Sequence, residues 1–219
     1  MRMSIRGMLF DLDGTLLDTA PDMGGALNEL RLESGLKPLP AVLIRSRVSQ
    51  GASALVHLAF EESSPALHQD RLARFLVLYR NRLARETRPF EGMTDILDRL
   101  EALGIPWGVV TNKPRMLTEP LLEAVGLLSR ARIVVSGDSL PEKKPSPAPL
   151  LYAATRLPAD AVDCVYIGDS ESDMIAARRA GMRSVAARFG YTDAEDATER
   201  WPADAWIDSP EDLYEWIAR

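Results

Sequence analysis

Short apolar runs alternate with helix-like segments along most of the sequence, and this alternation limits the possible folds more than any other feature. The runs that read as buried strands cover residues 7–10, 107–110, 133–135, 162–167 and 184–187. A strand that is covered by helices on both faces of a parallel sheet is apolar along nearly its whole length. The pattern therefore predicts an α/β fold in which an open parallel sheet is flanked by helices.

Residues 19–87 differ from the rest of the chain, because apolar side chains there recur at helical spacing and strand-like runs are absent from the sequence. Leu72, Phe75, Leu76 and Tyr79 show this spacing. We expect three or four helices in this segment, forming an inserted cap over a core made of residues 1–18 and 88–219. For the tail, residues 194–219, we expect an edge strand and a final helix.

Composition and charge limit the partners of the protein. The 219 residues carry a formal charge of −6, which leaves no broad basic face for a nucleic acid. No apolar run approaches the roughly 18 residues of a membrane span, and the single cysteine, Cys164, rules out an intramolecular disulfide framework. We therefore expect a cytoplasmic monomer or homodimer that acts on a small molecule, with no membrane partner.

Two carboxylates stand close together at the end of the first predicted strand. Asp11 and Asp13 are two residues apart, so both point toward the same side of an extended chain. Anions this close resist joint ionisation unless they share a cation, and Mg²⁺ is the oxygen-preferring ion most available for this. Gly14 would let the backbone turn beside such a site and approach a bound phosphate. The alternative is a polar turn that caps the following helix.

Two further polar clusters carry hydroxyl, amide and ammonium groups. Thr111 and Asn112 follow the second predicted strand and are candidate donors to phosphate oxygens. An ordinary turn between a strand and a helix has the same composition. Lys144 precedes a proline-rich helix start, where restricted backbone angles would hold one ammonium toward the acidic residues. A solvated surface turn is the alternative there.

The last cluster follows the fourth predicted strand. Asp169 lies at the strand end and Asp173 four residues later, one helical turn further along the same face. A helix N-cap with an acidic first turn would look similar. The carboxyl ends of parallel strands form one ligand crevice, so these clusters are expected to converge although they are far apart in the sequence.

In sequence these clusters resemble the four ordered motifs of the haloacid dehalogenase superfamily. The matching residues are Asp11 and Asp13, Thr111, Lys144, and Asp169 with Asp173. The resemblance implies a Rossmann-like core with an inserted α-helical cap. It also implies that Mg²⁺ is held by Asp11, by the main-chain carbonyl of Asp13 and by Asp169, with Asp173 behind them. Asp11 would be the nucleophile, Asp13 the general acid and base, and Lys144 and Thr111 would hold the phosphoryl oxygens.

Within the superfamily the motifs are most similar to those of the phosphoglycolate phosphatase group, and two stretches, residues 88–93 and 107–114, also resemble N-acetylmuramic acid 6-phosphate phosphatases. A β-phosphoglucomutase-like phosphotransferase is a further alternative. A dehalogenase has no use for Asp13, and a non-catalytic binding module is disfavoured because every motif residue is intact. In the cap, Arg45 and Arg47 are candidates for binding a substrate carboxylate, although exposed arginines are also common on surfaces.

Overall fold

The structure is a computed structural model that describes residues 5–60, 64–192 and 198–217. The strands are β1 (Gly7–Phe10), β2 (Leu17–Asp18), β3 (Arg88–Pro89), β4 (Trp107–Val110), β5 (Ile133–Val135), β6 (Cys164–Gly168), β7 (Arg183–Ala187) and β8 (Ala205–Ile207). The α-helices are α1 (Ala20–Glu33), α2 (Ala41–Arg45), α3 (Ala52–Ala59), α4 (Pro65–Arg80), α5 (Met93–Ala102), α6 (Arg115–Ala124), α7 (Ala148–Ala154), α8 (Glu171–Ala180) and α9 (Tyr214–Ile217). Among these residues, no helix is both long enough and apolar enough to cross a membrane.

Six of the strands form one parallel sheet in the order β5-β4-β1-β6-β7-β8. Strands β1, β4 and β6 are buried at every residue, which explains their continuous apolar character. The five predicted core strands are confirmed, with ends that differ from the prediction by at most two residues. The predicted α/β class is therefore correct, and β8 and α9 confirm the expected edge strand and final helix of the tail.

The strand order places a crevice above β1. From β1 the chain goes to one side for β4 and β5, and to the other side for β6, β7 and β8. Phe10, the last residue of β1, pairs with Val109 on one side and with Ile167 on the other. The ends of these three strands therefore lie together at one edge of the sheet, where open α/β sheets bind their ligands.

Helices α1 to α4 lie between β2 and β3 and share an apolar cluster that also includes Leu117 and Tyr191 of the core. Leu27 of α1, Leu55 of α3 and Phe75 of α4 are fully buried in this cluster. Phe75 and Tyr79 stack with ring centroids 6.2 Å apart. The expectation of three or four helices in this segment is confirmed. The division of the chain at residues 18/19 and 87/88 into core and cap stays our proposal.

The two connections to the helical segment are joined to each other. Strands β2 and β3 pair antiparallel, with Leu17 opposite Pro89 and Asp18 opposite Arg88. Next to them, the fully buried carboxylate of Asp22 accepts hydrogen bonds from the amides of Glu86 and Thr87 and from the Thr87 hydroxyl, which lies 2.8 Å away. This carboxylate therefore ties the start of α1 to the strand that leads back to the sheet.

Replacing Asp22 with Ala is expected to lower the free energy of unfolding by about 3 kcal/mol, because it leaves several buried donors without an acceptor. Urea titration followed by circular dichroism would measure the loss. The matched control is Asp70→Ala, which removes an exposed carboxylate from α4 and is expected to change stability by less than about 0.5 kcal/mol. Equal stability of the two variants would contradict this account of the connection.

Candidate active site

The side chains that follow β1, β4 and β6 meet at the carboxyl edge of the sheet, as expected for an open parallel sheet. The amide of Asp11 donates to the carbonyl of Ile167 at 2.8 Å, and the amide of Thr111 donates to the carbonyl of Val135 at 2.9 Å. The sheet hydrogen bonding therefore continues one residue past each strand. This continuation holds both side chains rigidly at the crevice.

Lys144 is the buried cation of the site. Its Nζ atom lies 2.8 Å from Asp11 Oδ1, 2.7 Å from Asp173 Oδ1 and 2.8 Å from the Tyr166 hydroxyl. Burial by itself lowers the pKa of Lys144, but the two carboxylates outweigh it and raise the pKa above its usual range. The side chain is therefore a permanent positive charge beside Asp11.

Asn112 holds the loop that carries this lysine. Its side-chain amide donates to the Lys144 carbonyl, and its Oδ1 accepts from the Lys144 amide, both at 3.0 Å. Asn112, which we predicted to contact phosphate, therefore uses one N–H and its oxygen to position Lys144. Its second N–H is not used by these bonds, and a phosphate contact stays a prediction.

Three carboxylates gather beside Lys144. One oxygen from each of Asp11, Asp169 and Asp173 lies within 4.8 Å of the others. Asp169 accepts from the Ser49 hydroxyl at 2.7 Å and from the Tyr191 amide at 3.0 Å. Asp173 has more partners. It forms a capping box with Ser170, the N-cap residue of α8, and it also pairs with Lys144.

The electrostatics of this cluster fit a divalent cation. Burial is the largest cause that raises the pKa of Asp11 to about 7, and repulsion from Asp173 and Asp13 adds to it. The attraction of Lys144 lowers the pKa but does not cancel this rise. Burial and then repulsion from Asp11 and Asp173 raise the pKa of Asp169 to about 8. The ammonium of Lys144 therefore does not offset the full cost of ionising Asp11 and Asp169. A divalent ion that prefers oxygen ligands would remove that cost. Asp11, Asp169 and Asp173 are the residues that could hold such an ion. The assignment of Asp11 and Asp169 as its ligands, with Asp173 behind them, stays a prediction.

Gly14 explains why the loop after β1 fits beside this cluster. Its φ of +85° lies in the left-handed region, which favours glycine. A Cβ atom at this position would lie 2.0 Å from Asp169 Oδ2. The predicted turn at Gly14 is therefore needed to bring the backbone against the acidic cluster, and its contact with substrate stays a prediction.

Asp13 pairs with a second lysine, Lys113. Its Oδ1 accepts from Lys113 Nζ at 2.7 Å and from the Thr19 hydroxyl at 2.6 Å. Among the described residues, no hydrogen bond engages the other oxygen, Oδ2. The two aspartates that are adjacent in the motif thus have separate cations, Lys144 for Asp11 and Lys113 for Asp13.

A cavity of about 410 Å³ lies between these residues and the helical segment. Its polar lining includes Asp11, Asp13, Thr111, Asn112, Lys113 and Lys144, and its apolar wall includes Met23, Val48, Leu72, Leu76 and Leu117. Residues 49–53, which lead into the first turn of α3, also line it. Asp169 and Asp173 are not among the described residues that line it, but Ser170 and Ser172 of the same motif are, so all four motifs reach this cavity together with the helical segment.

Neither arginine proposed from the cap is among the described residues that line this cavity. Arg45 pairs with Asp18 at 2.8 Å, lies over the ring of Tyr191 at 4.8 Å, and borders a different cavity beside α1 and α2. The structure thus brings the five predicted core residues Asp11, Asp13, Thr111, Lys144 and Asp169 together, and leaves Arg45 and Arg47 apart from them. A substrate contact of either arginine stays a prediction.

Sequence reasoning missed several side chains at the site. Thr19 and Lys113 contact Asp13, Ser49 contacts Asp169, Tyr166 contacts Lys144, and Tyr79 contacts Lys113. Lys113 lies two residues after Thr111, and the sequence alone does not distinguish a buried lysine at this position from an exposed one. Ser49, Tyr79 and Thr19 lie in the helical segment, and their spacing carries no chemical signal. Only the packing of that segment on the sheet reveals them.

A parallel sheet that presents a carboxylate, a buried lysine and an acidic cluster at its carboxyl edge is the arrangement expected of an α/β enzyme. Residues 8–187 match the model of the haloacid dehalogenase-like hydrolase family. The chain belongs to this family.

Curated relatives and solved structures agree with this membership. The chain is 42% identical over 210 residues to a phosphoglycolate phosphatase of Xanthomonas campestris pv. campestris (strain 8004), covering 96% of this chain and 95% of the relative. It is 38% identical over 219 residues to an N-acetylmuramic acid 6-phosphate phosphatase of Pseudomonas aeruginosa, covering 100% and 97%. The crystal structure of a predicted phosphoglycolate phosphatase from Haemophilus somnus 129pt superposes with a TM-score of 0.86 at 27% identity, covering 100% of both chains. The predicted family and enzyme class, a phosphoric monoester hydrolase, are thereby confirmed.

Proposed function

We propose that this chain is a Mg²⁺-dependent phosphatase that hydrolyses a small phosphorylated metabolite through a phosphoaspartate on Asp11. The observation that carries the proposal is the position of the Asp11 carboxylate. It lines the cavity directly after β1 and lies 2.8 Å from the buried ammonium of Lys144. A carboxylate held at the end of a rigid strand, with a cation beside it, is suited to attack a phosphorus atom.

In the first step an oxygen of Asp11 forms a bond to phosphorus while the bond from phosphorus to the ester oxygen breaks. The ester oxygen takes the electron pair and a proton from Asp13. Lys113 and Thr19 both donate to Oδ1 of Asp13, so Oδ2 is the oxygen left to carry that proton. In the second step Asp13 removes a proton from water, which attacks the phosphoaspartate, releases phosphate and restores Asp11.

Charge on the phosphoryl oxygens must be stabilised in both steps, because hydrolysis of a phosphate monoester needs a barrier reduction of about 20 kcal/mol or more. Lys144 supplies one positive charge next to Asp11. The Thr111 oxygen accepts from the Lys113 amide at 3.2 Å, which leaves its hydroxyl hydrogen for a phosphoryl oxygen. Mg²⁺ held by Asp11, Asp169 and the Asp13 carbonyl would neutralise further charge on the phosphoryl group.

For the substrate we propose phosphoglycolate or a close analogue, which is the substrate named for the Xanthomonas relative. N-acetylmuramic acid 6-phosphate is the second candidate, because the Pseudomonas relative matches the whole chain and a cavity of about 410 Å³ has room for a sugar phosphate. A β-phosphoglucomutase-like phosphotransferase stays a weaker alternative. The expectations of a cytoplasmic monomer or homodimer, and of no nucleic acid partner, stay predictions.

The test is a panel of phosphorylated metabolites assayed with the purified protein and Mg²⁺ by release of inorganic phosphate. We expect kcat/KM for phosphoglycolate to exceed that for N-acetylmuramic acid 6-phosphate by about tenfold or more, the effect of one good differential contact. Equal values would mean that neither is the selected substrate. Transfer of phosphate to a sugar, without release of inorganic phosphate, would favour the phosphotransferase instead.

A further inference from the structure

A second cation lies at the cavity on the side of Asp13. The side chain of Lys113 is 5% exposed, and its Nζ atom lies 2.7 Å from Asp13 Oδ1 and 2.8 Å from the hydroxyl of Tyr79. Tyr79 belongs to α4 and is almost fully buried, and both side chains line the cavity. A lysine of the loop after β4 and a tyrosine hydroxyl of the helical segment thus meet beside the proposed general acid.

The backbone of Lys113 is held firmly in place. Its carbonyl accepts from the Gly137 amide at 2.8 Å and from the Thr118 hydroxyl at 3.1 Å. Its amide donates to the Thr111 oxygen at 3.2 Å. The ammonium group is therefore aimed from a rigid loop, which is the property expected of a group that selects a ligand.

Counting donors shows unused hydrogen-bonding capacity at this point. A lysine ammonium has three N–H donors, and a tyrosine hydroxyl has one O–H donor. Two of the lysine donors serve Asp13 and Tyr79, and the Tyr79 oxygen is an acceptor in that contact. In the part of the chain that the structure describes, no acceptor engages the third N–H or the phenol hydrogen. Two buried donors beside a cavity are matched by an acceptor on the ligand, because unpaired buried donors are costly.

The position of these donors relative to the reaction defines where that acceptor lies. As general acid, Asp13 must come within about 3 Å of the ester oxygen that leaves. Lys113 is bound to the other oxygen of the same carboxylate at 2.7 Å, so its ammonium lies within about 8 Å of the ester oxygen, given that contact distance for the acid and the width of a carboxylate group. A hydrogen bond of about 2.8 Å then reaches an acceptor within about 5 Å of the ester oxygen, a range that includes a group on the carbon next to the ester carbon.

We propose that Lys113 and Tyr79 form a specificity-determining pair that binds a carboxylate on the leaving group, next to the ester carbon. The proposal rests on the proposed phosphatase function and adds to it the residues that recognise the alcohol part of the substrate. A carboxylate suits the pair better than a hydroxyl, because it accepts from the ammonium and the phenol at once and balances the ammonium charge that Asp13 leaves uncompensated while it carries the proton.

The other lysines at the cavity do not meet these requirements. Lys144 is engaged by Asp11, Asp173 and Tyr166, on the side where the phosphoryl group binds. Lys143 lines the cavity but is exposed, so its charge is screened by water. Lys143 therefore provides a matched control, with the same charge at the same cavity and without the buried geometry.

The experiment compares two phosphate monoesters of similar size, 2-phosphoglycolate and propyl phosphate, and measures kcat and KM for each with the Mg²⁺-loaded protein. We expect the wild-type protein to prefer the carboxylate by about tenfold or more in kcat/KM, mainly through KM. In Lys113→Met this preference should fall about tenfold, and in Tyr79→Phe, which removes only the hydroxyl, about threefold. Lys143→Met should keep the wild-type preference.

The ratio of the two substrates separates recognition from support of the fold. A structural role for Lys113, or a role limited to holding Asp13, lowers kcat/KM for both esters equally and leaves the ratio unchanged, which would overturn the proposal. If Lys113→Met does not fold, Tyr79→Phe decides, and an unchanged ratio there is equally contrary. Turnover of propyl phosphate with no preference for the carboxylate defeats this inference alone. A wild-type protein that hydrolyses neither these esters nor an aryl phosphate defeats the proposed function itself.

Discussion

The kcat of the Asp11→Asn protein toward an aryl phosphate should be at least about a thousandfold lower than that of the wild type. This reduction is larger than the one expected from removing a single charge-stabilising donor. An asparagine amide cannot form the phosphoaspartate, and the other residues of the site cannot replace it as nucleophile. The substitution should not harm the fold. Burial raises the pKa of Asp11 to about 7, so the ionised carboxylate is a cost to the folded protein that a neutral amide avoids.

Two measurements keep the effect on chemistry apart from an effect on folding. The thermal midpoint of Asp11→Asn in the absence of metal should equal or exceed that of the wild type at about pH 8, where the wild-type carboxylate is ionised. The control Asp70→Asn removes an exposed charge from α4 and should leave both activity and midpoint unchanged. Retained turnover in a folded Asp11→Asn protein would remove Asp11 as the nucleophile.

Chelation of divalent ions should lower turnover by at least about a hundredfold, and added Mg²⁺ should restore it, since the ion stabilises several kcal/mol of charge in such sites. The structural reason is the cluster of Asp11, Asp169 and Asp173, whose oxygens lie within 4.8 Å of one another and for which Lys144 is a single compensating charge. Full activity after treatment with EDTA would show that the metal assignment is wrong.

The same cluster predicts how stabilisation by Mg²⁺ depends on pH. Burial and neighbouring carboxylates raise the pKa values of Asp11 and Asp169 from 3.8 to about 7 and about 8. Without metal the folded protein therefore holds protons that the unfolded chain releases, and its stability falls as the pH rises through the range from about 4 to 8. Mg²⁺ binds the ionised carboxylates, so it should raise the thermal midpoint by several degrees near pH 8 and by less near pH 6. An equal rise at both values would contradict the assignment.

Much of the core was predictable because its signals are local. The strands are short apolar runs, and a polar residue that directly follows a parallel strand lies at the carboxyl edge of the sheet. Asp11, Thr111 and Asp169 were placed in this way, and Lys144 through its proline-rich loop. The helical character of the segment between β2 and β3 followed from apolar spacing alone.

The contacts that join the helical segment to the sheet were not predictable. Asp22 looks like any acid in the first turn of a helix, yet it is buried and holds the returning strand through Thr87. Arg45 was a candidate substrate contact from its position in the cap, and its ion pair with Asp18 was not foreseen. Tyr79 has the spacing of a core residue and also presents a hydroxyl to Lys113. In each case the partner is distant in the sequence.

The sequence by itself determined the order of strands and helices, the α/β class and the motif residues, because burial pattern and backbone geometry leave local traces. Only the tertiary structure decided which cation serves which aspartate, that Asn112 positions Lys144, and that Lys113 meets Tyr79 at the cavity. Such pairings depend on the relative position of segments that are tens of residues apart. Hydrogen bonds and ion pairs act over only about 3 Å, so no spacing along the chain specifies them.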